Sequence, residues 1–209
     1  MKLNKEQLKL YLVTDRQWTG EQSLLEQVEE SIQGGVSIIQ LREKSLDDES
    51  FLKEAIQMRE LASRYEIPFI VNDNALVALR SEADGIHIGQ NDLAIQEVRK
   101  IVGPNRIIGV SAQTVEQAIT AQQNGADYLG VGAVFSTTTK TDAVEVTYET
   151  LKAICEAVTI PVVAIGGITV DNVHQLKGIG IEGVAVVSAI LAQKNIKKAA
   201  ENLRKELER

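Results

Sequence analysis

Cysteine is almost missing from this chain: Cys155 is the one thiol in 209 residues. A single thiol excludes an intrachain disulfide and a cysteine-built metal site. Its setting in the apolar run Leu151–Val158 reads as a buried structural position. Long hydrophobic runs are lacking as well. No stretch approaches the ~18 apolar residues of a membrane span, and the opening Met1–Val13 holds no extended apolar core of a secretory leader. A cytoplasmic protein is expected. Positive charge is in deficit, since 22 Lys and Arg face 29 Asp and Glu for a net charge of −7. That balance argues against general binding to nucleic acid or an anionic membrane, and any positive field must be local. A Gly-x-Gly-x-x-Gly after the first apolar run is also absent, which weakens the case for a doubly wound open sheet.

What is present is an ordinary globular composition, 44% hydrophobic and 24% charged, long enough for one good-sized core. Short β-rich runs recur at Leu10–Val13, Val36–Leu41, Ile67–Val71, Gly85–Ile88, Ile107–Val110, Tyr128–Val131, Pro161–Ile165 and Gly183–Val187, eight in all. Most are continuously apolar, as parallel strands covered on both faces should be. The segments between them read as amphipathic helices. Ser23-Leu24-Leu25-Glu26 has a capping-box pattern ahead of a stripe of Leu24, Leu25, Val28 and Ile32, and Thr114–Gln117 repeats it. Glycines at Gly34-Gly35, Gly125, Gly178 and Gly180 mark helix ends. The segment 194–209 reads as a charged outer helix. Eight β/α repeats without a break in composition predict an α/β fold, a single-domain (β/α)₈ TIM barrel over residues 1–209.

In such a barrel the residues just after the strands converge on one face, where active sites are built. Asp73 follows the third run and Asp92 the fourth, so their carboxylates would lie side by side. Two hard oxygen donors at adjacent strand ends suit a Mg²⁺ that takes its other ligands from water and a phosphorylated substrate; capping of the following helices is the competing explanation. The second run ends Gln40-Leu41-Arg42-Glu43-Lys44, where alternation aims Gln40, Arg42 and Lys44 one way, although a solvated charged turn has the same composition. Asn72, His87 and Ser111 also fall at strand ends. Ser111 fits a helix cap or a donor to phosphate, and His87 a core histidine or a pocket residue. After the sixth run, Ser136–Lys140 is either an anion cradle or a flexible loop. The longer stretch Ala133–Val146 is read as a mobile loop over the site. Gly166-Gly167 after the seventh run and Val187-Ser188 after the eighth suit a backbone phosphate nest. Two separate anion sites suggest a reaction that joins two phosphorylated molecules with loss of pyrophosphate.

The motifs Gln-Leu-Arg-Glu-Lys, Val-Asn-Asp-Asn, Asp-Gly-Ile-His-Ile-Gly-Gln-Asn-Asp, Gly-Val-Ser-Ala-Gln-Thr, Thr-Thr-Thr-Lys-Thr-Asp-Ala and Ile-Gly-Gly-Ile-Thr stand in this order along the chain. They resemble the thiamine-phosphate synthase family over nearly its whole length. The resemblance implies a (β/α)₈ transferase that couples 4-amino-2-methyl-5-hydroxymethylpyrimidine diphosphate to a thiazole phosphate with Mg²⁺. It implies that Gln40, Leu41, Arg42, Glu43 and Lys44 form the pyrimidine-diphosphate segment, with Asn72 on the pyrophosphate and His87 in the pyrimidine pocket. Asp73 and Asp92 would be the Mg²⁺ ligands, and Ser111 and Lys140 further contacts to the diphosphate. Arg42, Lys44, Ser111 and Lys140 carry the catalytic load. Thr137, Thr138, Thr139, Gly167, Val187 and Ser188 would hold the thiazole phosphate. The chain departs from the resemblance at Ala133 and Ser136, where many relatives carry Pro, which bears on loop rigidity rather than chemistry. The implied partners are small phosphorylated molecules, with neither nucleic acid nor membrane, and a homodimer is the assembly left open. A thiazole tautomerase on the same barrel, or a phosphate-ligand sensor, would have no use for two acids and three cations at the strand ends.

Overall fold

Eight short strands, each apolar from end to end, have two faces to bury, and the computed structural model buries both. It describes residues 3–137 and 145–209. The strands β1 (Leu10–Val13), β2 (Ile38–Leu41), β3 (Phe69–Asn72), β4 (Gly85–Ile88), β5 (Ile107–Ala112), β6 (Tyr128–Val131), β7 (Val162–Ile165) and β8 (Gly183–Val186) pair in parallel in chain order. Closure of β8 on β1 in the register Leu10↔Val184 completes the barrel. The (β/α)₈ architecture expected from the repeats is therefore the one observed. Three strands start later than their apolar runs, β2 at Ile38, β3 at Phe69 and β7 at Val162. Pro68 and Pro161 have no N–H to donate, although their carbonyls accept from Ile39 and Leu129 at 3.1 and 2.9 Å.

Alternation sorts the strand side chains into two cores. Tyr11, Ile38, Ile70, Ile107, Tyr128 and Val163 pack inside the barrel. Leu10, Leu12, Ile39, Leu41, Val71 and Ile86 point outward to the helices. Around them run α1 (Lys5–Leu8), α2 (Leu24–Gln33), α3 (Asp48–Arg64), α4 (Ala75–Arg80), α5 (Ile95–Val102), α6 (Val115–Gln123), α7 (Tyr148–Ala157), α8 (Ser188–Leu191) and α9 (Ile196–Glu208). Among the described residues no helix is long and apolar enough to cross a membrane.

The helix signals act as their chemistry requires. Ser23 Oγ accepts from the Glu26 amide at 3.3 Å while the Glu26 carboxylate accepts from the Ser23 amide at 2.8 Å, a complete capping box. Leu24, Val28 and Ile32 are buried behind it, with Leu25 packed at the margin. At α6 only half of the motif forms in place. Thr114 Oγ1 accepts from the Gln117 amide, but the Gln117 side chain accepts from the Gln113 amide instead. Helix α9 seals the ring against the end of α2, where a Cβ on Gly34 would lie 2.4 Å from Lys197 O and 2.6 Å from Ala200 Cβ.

The rim at the strand starts is tied by acids to which the sequence reading gave no role. Asp84 Oδ2 accepts from the Phe69 amide at 2.9 Å, and Asp127 Oδ2 accepts from the Ile108 amide at 2.8 Å. This rim carries stability, leaving the opposite one for chemistry.

Closure leaves no room at the β8–β1 seam, where a Cβ on Gly183 would fall 1.9 Å from Leu8 O. Gly183→Ala is expected to lose about 2 kcal/mol or more of unfolding free energy by urea denaturation, since backbone must move to admit the methyl. Gly20→Ala, with nothing within 4 Å of the added Cβ, should stay within about 0.5 kcal/mol of the parent.

Candidate active site at the barrel mouth

Asp73 stands one residue beyond β3 with φ +62°, a left-handed backbone that Asp tolerates better than most residues. Its amide still donates to His87 O at 2.8 Å, extending the β3–β4 ladder. The capping alternative falls away for both acids. Asn74 caps α4, accepting from the Val77 amide at 3.0 Å. Helix α5 begins after Ala94 without any side-chain cap. Asp92 instead closes its own turn, with Oδ2 accepting from the Gly89 amide at 2.6 Å.

The two carboxyl groups meet across the neighbouring strand ends. The Asp92 carboxyl is raised above its ordinary range, first by burial and then by hydrogen-bonding contact with Asp73 and the repulsion of its charge; the Gly89 amide and the Lys44 cation pull the other way. Lys44 Nζ sits 2.5 Å from Asp73 Oδ2. Two carboxylates in contact, one of them held partly against its own ionisation, have the donor chemistry of a hard divalent cation. Among the described residues no group of three or more His, Cys, Asp or Glu is placed to hold a metal. An ion here would therefore keep most of its positions for water and substrate oxygens, as Mg²⁺ does.

The segment after β2 divides. The Arg42 amide donates to Thr14 Oγ1 at 3.0 Å, and its guanidinium reaches Asp15 Oδ2 at 3.4 Å. Arg42 is thus drawn toward the end of β1, whereas Lys44 is drawn toward the end of β3. The two other side chains expected with them turn away from the mouth. Leu41 is fully buried in the core between barrel and helices. Glu43, whose side chain is 2% exposed, pairs with Arg16 at 2.9 Å, and Arg16 also reaches Glu54 at 2.5 Å. Burial raises the Glu54 carboxyl against the pull of that guanidinium. The Leu41 and Glu43 side chains thus hold the segment in place, because strand alternation sends odd positions of this run outward.

A polar chain crosses the barrel interior beneath the acids. Gln40 Nε2 donates to Tyr11 Oη at 2.9 Å, and Tyr11 Oη lies 2.7 Å from Tyr128 Oη. Tyr128 Oη lies 2.9 Å from His87 Nδ1, and His87 Nε2 lies 3.0 Å from Ser111 Oγ. Asn72, 8% exposed, is the register partner of His87 on β3. Burial pushes the His87 pKa down to about 4, so the ring is neutral at physiological pH, and burial raises both phenols. Neither tyrosine was among the candidates read from sequence, nor were Thr14, Asp15 and Arg16. The available signal was two phenols at inward positions of otherwise aliphatic strands.

On the far side of the mouth, Gly166 and Gly167 have φ +98° and +65°. A Cβ on Gly167 would sit 2.4 Å from Ser136 O, so only glycine admits this approach of the strand-6 loop. Asn172 fixes the turn, donating to Gly167 O at 2.9 Å and accepting from the Thr169 amide at 2.8 Å. Val187 caps α8 and Ser188 opens it, with the Ile190 and Leu191 amides donating to Val187 O at 3.1 and 2.9 Å. Thr137 follows Ser136 and is half-buried. Thr138, Thr139 and Lys140 lie outside the described residues, as does much of the loop expected to cover the site.

A buried neutral histidine ties stability to pH. The ring binds its proton in the unfolded chain below the ordinary value of 6.5 but resists it in the fold down to about 4. Its contribution is complete above that unfolded value, declines as pH falls through the window, and levels off below about 4. The decline should be on the order of 3 kcal/mol. Urea denaturation from pH 7 to pH 4 should show a steeper loss for the parent than for His87→Gln.

Comparison with known proteins agrees with this geometry. A family model described as thiamine monophosphate synthase matches residues 10–190. A thiamine-phosphate synthase of Ruminiclostridium cellulolyticum is 53% identical over 194 residues, covering 93% of this chain and 92% of that one. One from Clostridioides difficile is 47% identical over 197 residues, with 94% of each chain covered. The solved thiamine phosphate pyrophosphorylase of Pyrococcus furiosus superposes with a TM-score of 0.90 at 41% identity, over 98% of this chain and 97% of that one. The chain therefore belongs to the thiamine monophosphate synthase family, and its activity is thiamine-phosphate synthesis, a transferase reaction of thiamine biosynthesis.

Proposed function

We propose that the barrel mouth couples 4-amino-2-methyl-5-hydroxymethylpyrimidine diphosphate to 4-methyl-5-(2-phosphoethyl)thiazole, or its 2-carboxy form, releasing pyrophosphate. The observation that carries this reading is the contact between the Asp73 and Asp92 carboxyls with the Lys44 ammonium beside them. Asp73 and Asp92 would hold a Mg²⁺ ion, which when bound supplies neutralising charge to the diphosphate. Lys44, paired with Asp73 in the ligand-free chain, is placed to transfer its charge to a phosphate oxygen. Arg42 and the Asn72 amide extend the same pole, and Lys140 is assigned to it from sequence.

The bond from the exocyclic methylene carbon to the diphosphate oxygen breaks with its electron pair leaving on oxygen. The ring amino group feeds electrons toward that carbon, and the thiazole nitrogen lone pair then forms the new C–N bond. The protein's tasks are to stabilise charge growing on the leaving group and to hold the thiazole nitrogen in line. No general base is required, which agrees with a His87 kept neutral and engaged at both nitrogens. Gln40 would orient the pyrimidine. Gly167, Val187, Ser188 and the run Thr137–Thr139 would hold the thiazole phosphate on the other side of the mouth. The cations Arg42 and Lys44 at the mouth fit small phosphorylated substrates, while a net charge of −7 suits a cytoplasmic enzyme without a nucleic-acid or membrane partner.

Incubation with both substrates and Mg²⁺ should release pyrophosphate and form thiamine phosphate together. Arg42→Ala should lower kcat by a factor of about 10² to 10³. Asp73→Asn should raise the Mg²⁺ concentration needed for half-maximal turnover. Normal turnover in both Arg42→Ala and Lys140→Ala would overturn charge stabilisation of the leaving group. Binding of thiazole phosphate without pyrophosphate release would overturn the synthase assignment itself.

A further inference from the structure

The chain Gln40–Tyr11–Tyr128–His87–Ser111 has five members on five strands, and its four contacts all fall between 2.7 and 3.0 Å. Its middle is buried, with Tyr11 and Tyr128 each 1% exposed and His87 9%. The neighbouring strands are hollowed to seat it. A Cβ on Gly109 would lie 2.1 Å from Tyr128 Cζ, and one on Gly130 would lie 3.0 Å from His87 Cε1. Gly109 is the register partner of both His87 and Tyr128. The mechanism above gives the tyrosines no task, yet the fold removes two side chains to accommodate this line of rings.

Each phenol owns one proton, and a neutral imidazole owns one shared between two nitrogens. A phenol oxygen that accepted from both neighbours would leave its own buried proton unbonded, so only two senses satisfy every buried donor, and the second needs the Gln40 amide turned to present Oε1 to Tyr11. If Gln40 donates to Tyr11, Tyr11 must donate to Tyr128, and Tyr128 to His87 Nδ1. The imidazole proton then sits on Nε2 and is donated to Ser111 Oγ. Ser111 keeps its own proton free to point out of the barrel. In the reverse sense Ser111 spends its proton on His87 and shows the mouth lone pairs alone. A diphosphate oxygen is an acceptor, so only the first sense offers it a hydrogen bond; the second sets lone pairs against negative charge.

We propose that Tyr11 and Tyr128 are positioning residues that fix His87 as its Nε2–H tautomer, and that this one-way chain makes Ser111 a hydrogen-bond donor to the leaving diphosphate. The proposal rests on the diphosphate reading of the site for its direction. The same order leaves Gln40 Oε1 as an acceptor at the other end, which suits an amino group on the pyrimidine ring. A single lost phenol proton breaks the chain, although no tyrosine touches substrate. The depressed basicity of His87 agrees with a ring that orders protons rather than collecting one.

Nitrogen-15 NMR of the full-length, histidine-labelled chain tests the order without substrate. His174→Gln removes the second of the two histidines and assigns the remaining signals. Nδ1 should resonate as an unprotonated nitrogen and Nε2 as a protonated one; the opposite pattern overturns the proposal. Tyr128→Phe should shift His87 toward a tautomer mixture and lower kcat about tenfold with little change in KM for the thiazole substrate. Ser111→Ala should lower kcat to a similar extent, and adding Tyr128→Phe to it should cost almost nothing further. Additive losses would mean that Tyr128 acts only as packing, and would overturn its positioning role. Should Tyr128→Phe fail to fold, Tyr11→Phe carries the same spectrum and the same double-variant comparison. An unmodified chain that released no pyrophosphate would overturn the functional reading, and with it the role given to Ser111, while the spectrum reports on the order of the chain alone.

Discussion

Parallel strands buried on both faces leave a chain no place for polar side chains except beyond the strand ends or inside the barrel. That constraint governs this molecule. The strands are four to six residues long and apolar almost throughout, so closure and hydrophobic burial follow together. Charge contributed by the strand ends then gathers on two rims. One rim uses Asp84 and Asp127 to tie strand starts. The other collects Asp15, Arg42, Lys44, Asp73 and Asp92, and its charges have partners that a substrate would reorganise.

The acidic pair sets burial against charge at the mouth. Burial, and then contact with Asp73, raise the Asp92 carboxyl. The Lys44 ammonium partly compensates, although its 56% exposure means that water screens much of that attraction. Arg42 is similarly occupied by Asp15. The arrangement holds each cation near the mouth while keeping it exchangeable. By contrast the interior chain of Gln40, two phenols, His87 and Ser111 is bonded along its length and buried at its middle.

Much of the fold was legible in local residues. Ser23 and Glu26 formed the expected capping box, and the apolar runs became strands with late starts at β2, β3 and β7, the last two beside Pro68 and Pro161, where no N–H exists. The ends of the strands were legible too, and with them most candidate positions at the mouth. Three things were not. Glu43 resembled its neighbours Arg42 and Lys44, but its partner Arg16 comes from the β1–α2 connection, 27 residues earlier. Gly109 and Gly130 carried no local signal, since the rings they admit belong to neighbouring strands. Tyr11 and Tyr128 are 117 residues apart, and no spacing rule links them.

By itself the sequence determined the repeat, the inward or outward sense of each strand residue, and the polar types delivered to the mouth, because these depend on periods of two and 3.6 along one chain. It also carried the ordered motifs that mark the family. Tertiary structure decided which of those residues meet. Asp73 contacts Asp92 rather than capping a helix, Lys44 leans to one neighbour and Arg42 to another, and His87 finds a phenol on one side and a hydroxyl on the other. Such choices depend on the register and stagger with which eight strands close, and that is a property of the whole ring rather than of any segment.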